Sequence, residues 1–310
     1  HVGRGFTFFR DVLERKWDSP YKDWFYIDFA NNRNSDGFSY ADWEDHRELV
    51  KLNLQNPAVR RWLFERIDQW VAEFGIDGLR LDVAYCLDRD FIRELHDYTK
   101  RHEPDFFLLG EMIGGDYNAI LGDDKLDSVT NYECRKGLFS SMNSKNMFEI
   151  GYSLNRQFGR DPWCLYTGKH LLSFADNHDV DRIASVLEDP RDLPLGYAMI
   201  CAMPGIPCLY YGSEWGVEGD KKDGDQTLRP CFEKPEWNAL TDLISKMCRA
   251  KTGSDALCHG DFRSVLLTNR QCIFERKTDK ERVLVAINAD SEEYVAHFDA
   301  GCGMAVDLIS

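Results

Sequence analysis

No apolar run in this chain is long enough to cross a bilayer as a helix. Positive charge is scarce: 38 Lys and Arg stand against 53 Asp and Glu, a formal charge of −15. That balance argues against non-specific binding to nucleic acid or anionic membrane and leaves neutral or cationic ligands open. There is no CxxC pair and no Cys/His group at zinc spacing. The ten cysteines are scattered, and several, such as Cys201 and Cys208, sit in apolar company. They read as reduced core residues of a cytoplasmic protein. No secretory signal, internal repeat or low-complexity segment is visible. The 310 residues allow one large domain or a large and a small one.

Asn56-Pro57 followed by Val59, Trp62, Leu63, Ile67, Trp70, Val71 and Phe74 predicts an amphipathic helix ended by Gly75. A strand at 77–83, a helix at 88–102 and a strand at 106–111 follow. A short strand is expected at 126–130, and helix over 133–158 with a break near Ser144. Then come a strand at 170–175, helices at 179–188 and 194–202, a strand at 207–211 and a helix at 235–250. This alternation predicts a parallel sheet with crossover helices, an α/β fold. About five such strands are too few to close an eight-stranded barrel. After about residue 255 the runs 264–267, 272–276 and 283–288, separated by polar turns, predict a small antiparallel β domain. The expected organisation is an aromatic, irregular excursion over 1–55, a strand–helix region over 56–254 and the β domain over 255–310.

Three acids each close an apolar strand-like run: Asp82 after Gly78-Leu79-Arg80-Leu81, Glu111 after Phe107-Leu108-Leu109-Gly110, and Asp179 after Phe174-Ala175-Asp176-Asn177-His178. Buried parallel strands put such groups where their carboxyl ends open to solvent. Three acids at one mouth suit glycosidic-bond chemistry, in which one attacks, one protonates the leaving oxygen and the reacting centre becomes cation-like. Arg80 lies two residues before Asp82, so both side chains point to one face, where a guanidinium would hold the carboxylate ionised and oriented.

On these motifs the chain resembles the α-amylase superfamily of glycoside hydrolases, in its neopullulanase, cyclomaltodextrinase and maltogenic amylase branch. Asp77–Asp82, Leu109–Glu111 and Phe174–Asp179 resemble the strand-four, strand-five and strand-seven elements. Tyr21–Phe25, Val50–Asn53 and Met203–Glu214 add further likeness. The resemblance implies a (β/α)8 TIM barrel followed by a small antiparallel domain. His1 would be the last residue of the strand-three element, so the first three strands would lie outside this chain.

The resemblance also implies roles. Asp82 would be the nucleophile, Glu111 the acid/base and Asp179 the stabiliser of the distorted sugar. Arg80, His178, His1 and Arg229 would bind substrate. Trp163, Trp215, Tyr166 and Tyr211 would offer faces for sugars, while Lys51 reads as structural. The partner would be an α-glucan oligosaccharide or polysaccharide, and the full-length protein is compatible with a homodimer. No cofactor or metal is required; calcium suits the family, but nothing in the sequence indicates it. His178-Asp179 alone would also suit a metal phosphohydrolase, which needs more His and Asp ligands nearby than the eight histidines supply. Tyr85-Cys86, after Val83-Ala84, and Ile113, two residues after Glu111, depart from the branch on the leaving-group side, so linkage preference does not carry over. Two rivals remain: a transglycosylase sharing the chemistry, and a non-catalytic interaction protein on the same barrel. The second would be expected to lack a carboxylate and carry a membrane segment.

Overall fold

A computed structural model describes residues 1–309, which divide into two units: His1–Leu109 with Gly122–Leu126, and Gly110–Leu121 with Asp127 onward. In the first unit, residues 1–55 are not wholly irregular. Helix Thr7–Arg15 forms there without a side-chain cap, which is why no boundary signal marks it. It buries Phe9 and Val12 in a cluster with Phe25, Phe38, Tyr40, Val50, Leu52 and Val59. Phe9 meets Phe25 and Tyr40 edge-on at ring separations of 5.0 and 4.9 Å, a favoured geometry for the ring quadrupoles.

The next elements follow their caps. Helix Pro57–Phe74 starts where the Asn56 side chain accepts from the Ala58 N–H, with proline at its first turn, and stops at Gly75, whose φ of 62° suits glycine. Helix Arg89–His102 starts where Asp88 accepts from the Phe91 N–H. Its last turn carries Lys100, Arg101 and His102, the sign that the helix dipole favours there. The two helices meet where Phe64 stacks on Tyr98 at 4.4 Å. Strand Gly78–Leu81 lies beside strand Phe107–Gly110. A Cβ at Gly78 would stand 2.6 Å from the Phe107 carbonyl oxygen, so only glycine allows this approach.

In the second unit the Thr130 N–H donates to the Gly110 carbonyl, and Thr130 bridges Leu172 in parallel. Strand Leu172–Phe174 pairs in parallel with Ile206–Cys208. Helices Tyr132–Asn143 and Phe148–Phe158 flank the expected break at Ser144. Helix Leu193–Ala202 packs on Ala239–Gly253, which opens on an Asn238/Thr241 capping box. Two expectations need correction. Helix 179–188 shrinks to Ile183–Val186, because Asn177 accepts from the Asp179 N–H and Arg182 is extended. The strand expected at 207–211 is Ile206–Cys208; Gly212, at φ 86°, marks the turn beyond it.

The C-terminal part is an antiparallel sheet of Asp261–Leu267, Gln271–Lys277 and Arg282–Asn288, making the described chain α/β with a terminal β sheet. Its buried Glu275 is held by Arg263 (3.1 Å) and Arg282, and the Arg263 bond keeps its carboxyl below the usual range. Arg276 and Lys251, both buried, donate to the carbonyls of Ala202 (2.8 Å) and Met203 (3.3 Å). Cations thereby close the end of the Leu193–Ala202 helix, where carbonyls lack helical partners. No helix among the described residues is long and apolar enough to cross a membrane.

Candidate active site

Asp82 follows the last residue of its strand. Arg80 hydrogen-bonds its Oδ1, the pairing that the two-residue spacing predicts. The His1 Nε2 lies 3.9 Å from its Oδ2, and the His1 ring stacks near Trp43 at 5.9 Å. The Asp82 side chain is 56% exposed. Directly after it Val83 adopts φ 40° and ψ 46°, left-handed backbone that a β-branched residue rarely takes. Such a conformation costs on the order of 1–3 kcal/mol and concentrates at functional sites. It turns the chain from the strand into the Ala84–Cys86 turn, so Asp82 stands at the corner.

Glu111 is buried and follows strand Phe107–Gly110. The backbone on either side of it is tied to Thr130. The Gly110 carbonyl accepts from the Thr130 N–H (3.1 Å), and the Met112 N–H donates to the Thr130 hydroxyl (2.8 Å). The hydroxyl in turn donates to the Met112 carbonyl at 3.1 Å. Glu111 and Asp179 share a neighbour in Tyr132. Burial pushes its phenol up, and the two carboxylates raise it further.

Asp179 is held from several sides. His178 Nε2 lies 2.9 Å from Oδ2, and the Arg229 guanidinium donates to Oδ1 at 3.0 Å and to the His178 carbonyl at 3.1 Å. Lys221 donates to the Asp179 carbonyl at 3.0 Å. Asn177 accepts from the Asp179 N–H and donates to the Tyr132 hydroxyl. The structure therefore brings Arg80 and His1 to Asp82, and His178 and Arg229 to Asp179.

The expected sugar platforms divide. Trp163 and Tyr211 are about half exposed, and the Tyr211 hydroxyl donates to the Pro230 carbonyl. Tyr166 is buried, stacked on Tyr117 at 5.1 Å, with its hydroxyl accepting from the Tyr117 N–H; it is a core residue. Lys51 reaches over the Tyr26 ring. Of the departing positions, Cys86 and Ile113 are exposed. Among the described residues no group of three His, Cys, Asp or Glu side chains is gathered as for a metal ion.

Sequence reasoning missed Tyr132, Lys221, Asp176, Ser213 and Arg182. Asp176 lies within the strand-seven motif, three residues before Asp179, and could have been singled out as an acid in apolar company. Burial raises its carboxyl.

Comparison with known proteins gives a consistent picture. The family model for the α-amylase catalytic domain matches residues 1–261. A cyclomaltodextrinase of a Bacillus species is 30% identical over 299 residues, covering 94% of this chain and 52% of that protein. Neopullulanase 2 of Thermoactinomyces vulgaris is 30% identical over 298 residues, covering 94% and 50%. The solved cyclic α-maltosyl-(1→6)-maltose hydrolase of Arthrobacter globiformis superposes with a TM-score of 0.82 at 27% identity, covering 93% of this chain and 65% of that one. The chain thus spans about half the length of the curated relatives it matches.

Proposed function

The chain belongs to the α-amylase family, and from that premise we propose that the protein is a retaining hydrolase of α-glucosidic bonds in maltodextrins, cyclodextrins or pullulan. The observation that carries the reading is the placement of Asp82 and Glu111 directly after strands, with Asp179 held by His178 and Arg229 after a third. Asp82, oriented by Arg80, attacks the anomeric carbon as Glu111 gives its proton to the leaving oxygen. Glu111 then takes a proton from water, which releases the sugar from Asp82. Asp179 and His178 hold ring hydroxyls as positive charge develops. The ten free thiols support a reducing compartment.

The barrel reading has its own support. Among the described residues strand Gly78–Leu81 pairs on one side only, as does Ile206–Cys208. Trp70, Val71 and Phe74 on helix Pro57–Phe74 are exposed. Parallel sheets are ordinarily covered on both faces, and closure removes edges. Further strands closing an eight-stranded barrel would cover these surfaces. On this reading residues 1–310 expressed alone aggregate and are inactive; a monomeric, cooperatively melting, active 310-residue protein would overturn it.

The test of function is hydrolysis of maltotriose, β-cyclodextrin and pullulan by the full-length protein, with the product anomer read by NMR before mutarotation. Retention is expected, and a crystal structure should place the carboxyl carbons of Asp82 and Glu111 about 5–5.5 Å apart. Inversion, or a separation beyond about 9 Å, would sink the assignment. Product analysis at high maltotriose separates hydrolysis from transfer.

A further inference from the structure

Arg182, with Arg276, is among the largest fully buried side chains of the described residues and lies three residues beyond Asp179. Its guanidinium donates to the carbonyls of Tyr211 (2.7 Å) and Leu228 (2.8 Å) and to the Ser213 hydroxyl (3.0 Å). Its own N–H donates to the Gly219 carbonyl at 2.9 Å. The Ser213 hydroxyl donates to the buried Asp176 at 2.8 Å, and Asp176 also accepts from the Ile183 N–H at 2.9 Å. The guanidinium is stacked 4.1 Å from the centre of the Tyr210 ring. Burying a cation is costly unless hydrogen bonds and an anion offset it; here both terminal nitrogens are used, Nε has no partner among the described residues, and Asp176 supplies the anion through Ser213.

The anchor points explain what this knot does. Gly219 and Leu228 flank the segment that carries Lys221, Arg229 follows Leu228 directly, and both of those side chains return to Asp179. One residue of the Asp179 loop thus holds both ends of this segment, Gly219 through its backbone N–H and Leu228 through its guanidinium. We infer that Arg182 is a positioning residue: it holds the 219–229 segment so that Arg229 and Lys221 orient Asp179 for substrate. This rests on the reading of Asp179 as an active-site acid. A lysine at 182 would keep the charge but lacks the planar fork that reaches separate carbonyls.

A double-mutant cycle in the full-length protein tests it. Arg182→Lys should lower kcat/KM on maltotriose roughly 10- to 100-fold, since small misplacements in an active site cost that much. Because it acts in part through Arg229, Arg182→Lys should cost at least about threefold less on the Arg229→Ala background than on wild type. Multiplicative losses, or wild-type activity in Arg182→Lys, would overturn the inference. Ser213→Ala, which keeps the arginine, should show a smaller loss with the same non-additivity, and it decides the matter if Arg182→Lys does not fold. Trypsin adds a readout independent of activity: cleavage after Lys221 and Lys222 should speed up in Arg182→Lys or Ser213→Ala, and an unchanged rate counts against the clamp. If wild-type protein leaves maltotriose, cyclodextrin and pullulan intact, the family-based reading fails, and the trypsin result alone judges the clamp.

Discussion

The two units bury different things. In the first, the buried polar side chains are Ser19, Asn34 and Thr99, and the core is aromatic and aliphatic. In the second, Glu111, Asp176, Arg182, Asp192, Lys251, Glu275 and Arg276 are all buried. The contrast extends to the acids. Asp82, in the first unit, is 56% exposed and takes its arginine from two residues away. Asp179, in the second, is held by cations 42 and 50 residues downstream, whose segment is anchored by a fully buried arginine. The first interior is built by ring and aliphatic packing, and the second adds buried charges. The second arrangement is costly unless every partner is in place, so it ties the geometry of the site to the integrity of the fold.

The largest effect that would sharpen this contrast is at Asp82. If it is the nucleophile, Asp82→Asn in the full-length protein should cut turnover of maltotriose by at least about 10^4-fold while leaving the melting temperature nearly unchanged, because the side chain is exposed. A variant that melts much lower would break the contrast. Glu111→Gln comes next. Losing the acid should cost roughly 10^2- to 10^4-fold on maltotriose but spare the glycosylation burst on a nitrophenyl maltoside, whose leaving group needs no proton. Equal damage on both substrates would remove the acid/base role. Arg229→Ala should be milder, about 10- to 100-fold in kcat/KM, the range for a hydrogen bond to a charged group. Retention of full activity would show that the clamp around Asp179 is idle.

The same contrast explains what was legible in the sequence. Arg80 and Asp82 are two apart on a strand, and Asn56 and Asp88 precede amphipathic runs, so short-range geometry placed them. The three acids were legible because each ends an apolar run. Helix 179–188 was misjudged because Asp-Val-Asp-Arg-Ile-Ala looks helical, while the Arg182 N–H, which a helix would give to the His178 carbonyl, goes to the Gly219 carbonyl. Arg182, Lys251 and Arg276 gave no signal, since a cation in a sequence reads as surface and only distant carbonyls make its burial tolerable. Tyr166 failed in the opposite direction: an aromatic offered to substrate is a packed ring.

The smallest effect probes the buried charges directly. Burial lowers the Lys251 ammonium from its ordinary value to about 8, while its donors serve Met203 and Leu257. Below about pH 8 the lysine is charged in both folded and unfolded states, and the folded state carries the full desolvation cost. Between about pH 8 and 10.5 the unfolded chain holds a proton that the folded one has lost, so stability contributed at this site rises with pH, by no more than about 1.4 kcal/mol per unit. Lys251→Met leaves the two carbonyls unpaired and has no proton to lose. Denaturant titrations should therefore show the deficit of Lys251→Met relative to wild type growing from pH 7.5 to pH 10. Val59→Ala, in the apolar core of the first unit, should cost about 1–3 kcal/mol at both pH values, because no charge is involved. A flat difference for Lys251→Met would show that its ammonium is solvated in the folded state, and the contrast between the two interiors would lose its electrostatic meaning at that residue.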